Sequence, residues 1–257
     1  VDWTTARSVL LIAAANRFLA GGEVGDFWPN SEVFLFTRAV IFEDGVTAAR
    51  DPNRWFAALK ASGMRGVLLG RRRSKGQLPA EMPIHHALDT GAPVIEIGDA
   101  AQAGCRVPID RFHDDGGGKS WSTFYVTAAA EGEAPAPPDL EAVTAVFAEI
   151  LDELAHFAHA HGMDQFVPSF GAALGALRGA PLERNSYLAG YEELLPDMRA
   201  RSLFVAAAHA HVFGGMGSWD DHEVPQAAEQ FLSLTLRLIA ADSDASQAVA
   251  NTTFAWR

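Results

Sequence analysis

Leu140, Val143, Phe147, Ile150, Leu154 and Phe157 follow one another at intervals of three and four residues. An α-helix, with ~3.6 residues per turn, places such a series on one side of the backbone. The spacing predicts a helix over residues 139–161, opened by Asp139 and stopped by Gly162. Further helices are expected over residues 171–177, 184–195, 197–213, 225–240 and 244–255, so everything after the connector reads as helical. Such helices must bury their apolar sides, against one another or against whatever the preceding residues build.

The connector itself is Glu131-Gly132-Glu133-Ala134-Pro135-Ala136-Pro137-Pro138, an extended Pro-rich stretch. Before it the texture changes. A first helix is expected over residues 4–19, followed by a loop over residues 21–30 held down by Phe27 and Trp28. Residues 33–36 and 40–42 are β-branched and aromatic, and Asp44-Gly45 ends them with a turn signal. Asp51-Pro52 then reads as an N-cap with proline at the first helical position, and Trp55, Phe56 and Leu59 give that helix an apolar side. Val67-Leu68-Leu69 and Pro93-Val94-Ile95-Glu96-Ile97 are strand-like, with a short helix expected near residues 85–90 between them.

Strand and helix alternating at this spacing predict parallel βαβ units. Residues 106–112 and 122–127 are expected to add an antiparallel pair at the sheet's edge. The fold class is therefore α/β, or α+β if the sheet is mixed: a small, mostly parallel sheet with helices over residues 1–130, packed against a helical bundle over residues 139–257. Residues 131–138 connect the two portions of one compact unit.

Charge divides at the same place. Residues 1–130 hold 14 Lys+Arg and 14 Asp+Glu, whereas residues 131–257 hold 6 Lys+Arg against 18 Asp+Glu. The whole formal charge of −12 sits in the second portion. Such a surface repels nucleic-acid phosphate and attracts cationic partners. The first helix lacks a basic leader, no apolar run reaches the ~20 residues needed to cross a bilayer, and Cys105 is a lone cysteine. These features predict a cytoplasmic protein that does not act at a membrane.

Four constellations bear on chemistry. Arg71, Arg72, Arg73 and Lys75 follow a strand, where open sheets bind ligands, and guanidinium groups there suit phosphate or carboxylate. Glu153 and His156 form a Glu-x-x-His pair on one turn of the long helix, a spacing that suits a divalent metal, although a second copy of the motif is absent. Glu149 and Asp152 lie on the same flank. In the string from Phe213 to His222, Trp219 reads either as a partner's anchor flanked by steering carboxylates, Asp220 and Asp221, or as a core residue beneath a tight interhelical turn. Gly118-Lys119-Ser120 has the tail of a phosphate-binding loop, but His113 stands where its first glycine belongs and a strand follows.

The sequence contains no GxSxG, HExxH or GxGxxG, so catalysis is left undecided and no cofactor is assigned. The charge distribution favours a protein-binding role of the inhibitor, immunity or adaptor type, with Glu149, Asp152, Trp219, Asp220 and Asp221 facing a basic protein. The competing expectation is an enzyme for a small anionic molecule, with a crevice between the two portions, the arginines as anion site and Glu153 with His156 as metal ligands.

Overall fold

The computed structural model describes residues 3–25, 27–28, 34, 37–43, 48–72, 92–97, 104–114, 119–128, 138–181, 192–214 and 216–254. The middle of its first helix, α1 (Trp3–Leu19), is apolar all round because it is buried all round: Val9 through Ala15 have no solvent exposure. Arg7, a charged residue two positions before that stretch, is buried as well. Its guanidinium donates to the Thr123 hydroxyl at 2.8 Å and to that of Thr37 at 3.2 Å, fixing α1 on the sheet.

Five strands, β1 (Thr37–Glu43), β2 (Val67–Arg72), β3 (Ala92–Ile97), β4 (Gly104–Asp114) and β5 (Lys119–Ala128), form one sheet in the order β1-β5-β4-β3-β2. The mixed α/β architecture with clustered C-terminal helices follows the expectation, but the strand directions depart from it. Among the described residues only the β1–β5 pair is parallel; β5–β4, β4–β3 and β3–β2 are antiparallel. Alternating strand and helix patterns do not by themselves set direction, and β3 runs back along β2 instead of crossing over to lie parallel to it. The β4–β5 hairpin lies inside the sheet, not at its edge, because β1 adds to the far side of β5. The short helix expected at residues 85–90 lies outside the described residues, as does the Pro-rich connector up to residue 137.

One face of the sheet packs on helices. Asp51 caps α2 (Pro52–Ala61), accepting from the Arg54 N–H, as the Asp-Pro pair implies. Trp55 of α2 stacks on Phe42 of β1 at 4.3 Å between ring centroids, and Phe42 stacks in turn on Tyr125 at 5.0 Å. Phe27 is buried against Phe34 and Phe56, as a packed-down loop requires.

The helical portion comprises α3 (Leu140–Ala160), α4 (Val167–Leu177), α5 (Met198–His209) and α6 (Ala228–Asn251). Asp139 caps α3, and Gly162, with φ of 71°, ends it. The four helices pack as α3 on α6 and α4, and α5 on α4 and α6. The two helices expected over residues 225–240 and 244–255 are one. No glycine or proline interrupts residues 228–251, and Ser246 bonds back to the Asp242 carbonyl at 2.9 Å without breaking the turn. Of the helix expected over residues 184–195, only a short turn, Glu192–Leu194, falls within the described residues.

Helix α6 is long enough to leave the bundle and reach the sheet. There, two asparagines close the free edge of β2. The Asn16 side chain of α1 accepts from the Val67 N–H at 2.8 Å and donates to the Val67 carbonyl at 2.9 Å. Asn251 of α6 treats Leu69 the same way, at 2.9 and 3.0 Å. Two carboxamides thus supply the hydrogen bonds of a missing neighbour strand. The junction is tight: a methyl group on Gly66 would collide with the Phe254 ring.

Candidate partner-binding surface

Helix α3 presents two opposite sides. Phe147, Ile150, Leu151, Leu154 and Phe157 are buried, whereas Glu141, Glu149, Asp152, His156 and His159 are exposed. Glu149 and Asp152, expected to face a partner, therefore do face solvent. The nearby histidines make local contacts. His156 Nδ1 donates to the Asp152 carbonyl at 2.7 Å, and His159 lies 2.8 Å from the Asp164 carboxylate.

Glu153 turns from that face toward α6. Both its oxygens accept from the Arg237 guanidinium, at 2.6 and 2.8 Å, a bidentate clasp between the helices. The hydrogen bonds from Arg237 hold the Glu153 carboxyl below its usual range, against a smaller effect of burial. The same bonds push Arg237 upward. The Glu153–His156 pair is thus spent on a helix–helix clasp and an intrahelical bond. Among the described residues no three His, Cys, Asp or Glu side chains gather as a metal site.

The segment between α5 and α6 is built around Trp219. The structure corrects its assignment as a partner anchor: Trp219 has 0% exposure and cannot touch a partner. Its indole N–H donates to Thr235 Oγ1 at 2.8 Å, its ring stacks on Phe231 at 5.1 Å, and Phe166 and Phe170 meet it edge-on. An indole fills this space because it combines a large apolar body with one polar group that needs a partner when buried. Asp220 and Asp221 are exposed, yet they also hold their own loop. Asp220 accepts from the Ser218 hydroxyl at 2.7 Å, and Asp221 from the Gly217 N–H at 2.8 Å. Gly214 and Gly217 adopt φ of 78° and 79°, which residues bearing a side chain rarely tolerate.

The arginine cluster is only partly placed. Arg71 and Arg72 end β2, their backbones paired with Pro93 and Ala92, while their side chains, Arg73 and Lys75 lie outside the described residues. Lys119 and Ser120 open strand β5, so no helix points its amides at a phosphate there.

One polar cluster goes beyond what the sequence led us to expect. His113 lies between Arg38, whose Nη2 is 2.9 Å from Nδ1, and Ser122, whose Oγ is 3.0 Å from Nε2. A guanidinium only donates, so Nδ1 accepts, the proton sits on Nε2, and Ser122 is the acceptor. That polarity is the reverse of a histidine activating a serine, and Ser122 is itself buried. The hairpin register, with His113 opposite Ser120, places His113 diagonal to Ser122 and is the one signal that could have paired them. Nothing in the sequence brings Arg38 beside them.

Electrostatically, the described residues of the two portions are scarcely cross-linked. Among the described residues one ion pair joins them, Arg17 to Glu193 at 3.1 Å. Arg237–Glu153 and Arg199–Asp197 lie within the helical portion. Glu141, Glu149, Glu223 and Glu229 are exposed and form no ion pair with a described residue. No helix among the described residues is long and apolar enough to cross a membrane. No family model, curated protein or solved structure matches the chain.

Proposed function

We propose that the protein binds a basic protein partner through the carboxylate-rich surface of its helical portion, in the manner of an inhibitor, immunity protein or adaptor. The observation that carries this reading is the set of exposed carboxylates, Glu149 and Asp152 on α3 above all, in a portion with 18 acidic and 6 basic residues. Arginines of the sheet portion do not neutralise them, apart from the Arg17 contact, among the described residues. Exposed charges of one sign steer a complementary surface during encounter and select against wrong partners. They also attract less as salt rises, since the Debye length falls from about 10 Å at 0.1 M to about 3 Å at 1 M.

The reading is tested by affinity capture at low and high salt, comparing the wild type with a variant carrying Glu149→Lys, Asp152→Lys, Glu223→Lys and Glu229→Lys. These positions are exposed, and none of their carboxylates holds the loop as those of Asp220 and Asp221 do. The expected outcome is a basic protein retained by the wild type at low salt, released at high salt and not retained by the variant. Equal retention by both proteins at every salt concentration would overturn the proposal.

A further inference from the structure

Beyond the carboxylates, the helical portion also exposes large apolar side chains. Met216, at the tip of the loop before α6, is fully exposed, and Leu232 and Leu236 on α6 are 57% and 37% exposed. The two leucines are four residues apart, so they stand one above the other on the helix. Trp219 ties the loop to this part of α6, because it touches Phe231 and Thr235. Leu232 and Leu236 come directly after those two residues in sequence. At ~100° per residue, they lie one position around α6 from the strip that Trp219 covers.

The charges nearest these side chains in sequence are acidic, and the cation that follows Leu236, Arg237, has its guanidinium clasped by both oxygens of Glu153. Residues 211–236 contain Asp220, Asp221, Glu223 and Glu229 and no lysine or arginine. Glu229 is exposed one turn before Leu232, and the exposed neighbour on the other side of that leucine, Ser233, carries no charge.

We propose that this loop and the outward side of α6 form the docking surface for a cationic amphipathic helix. The apolar side of such a helix would cover Leu232 and Leu236, with Met216 as a flexible apolar contact, and its lysines and arginines would meet the surrounding carboxylates. The charge selects this occupant: a second copy of the chain, with its own −12, meets repulsion at the same surface. The loop is prepared for the role, since Trp219 and the hydrogen bonds that Asp220 and Asp221 accept fix its shape before any partner arrives. This inference rests on the acidic-surface reading and specifies the partner's form.

The test uses the full chain and two labelled synthetic probes of equal charge: a helical Leu/Lys peptide with an amphipathic heptad pattern, and a Gly/Lys peptide without apolar residues. Fluorescence anisotropy measures binding to the wild type and to a Leu232→Ser, Leu236→Ser variant. The expected result is that the wild type binds the amphipathic probe at least ~10-fold more tightly than the Gly/Lys probe. The double substitution should remove that advantage and leave the Gly/Lys affinity unchanged. Because both leucines are exposed, circular dichroism should show the same helicity in both proteins. If both probes bind equally to both proteins, the docking inference fails while the acidic-surface reading stands. If neither probe binds the wild type at low salt, both fail.

Discussion

Asn16 and Asn251 show how much one side chain can do at a sheet margin. Each satisfies both a donor and an acceptor on β2, and both side chains are buried. Replacing Asn251 with alanine strands the N–H and C=O of Leu69, which should cost about 3 kcal/mol. Urea denaturation should show that loss, whereas Glu149→Gln on the exposed side of α3 should stay within about 0.5 kcal/mol of the wild type. Neither asparagine announces its task in the sequence, because an Asn in a helical pattern looks like a surface residue until a strand edge is known to lie beside it. Trp219 is ambiguous in sequence for a related reason. Its glycine-rich approach and acidic neighbours suit a protruding tip, and only the positions of Phe231 and Thr235 show that the ring turns inward.

At the scale of elements, α3 is the most legible. Its apolar spacing, Asp139 cap and Gly162 stop all act within a few residues, and local rules read them well. Strand direction and order are not legible, since both depend on which distant segment pairs with which. The parallel match of β1 to β5 joins residues about eighty positions apart. Between elements, the Glu153–Arg237 clasp yields a pH prediction. The folded state holds the Glu153 carboxyl below its usual value of 4.5, so the clasp stabilises fully above that value. Its contribution disappears as the pH falls through the lower folded value. Below about pH 4.5 the thermal midpoint of the wild type should therefore fall more steeply than that of Glu153→Gln, and scanning calorimetry across about pH 3–7 checks the difference.

In the whole molecule, α6 is the member that belongs to both portions: it packs in the bundle through Leu234 and Leu238 and seals the sheet through Asn251. The sequence shows that charge divides near residue 131, but not that one helix bridges the divide. Charge can be counted along a chain, whereas a bridging helix is defined by what it touches at each end. Opening the margin with Asn16→Ala and Asn251→Ala together should leave β2 available to other chains. Such a variant is expected to self-associate at concentrations where the wild type does not, and light scattering would reveal it. The separation in sequence has a temporal meaning as well. Leu69 and Asn251 are 182 residues apart, so on a ribosome the sheet's β2 margin emerges long before the residue that closes it. During that interval the nascent chain carries an adhesive border, and its safe completion depends on how quickly α6 swings back.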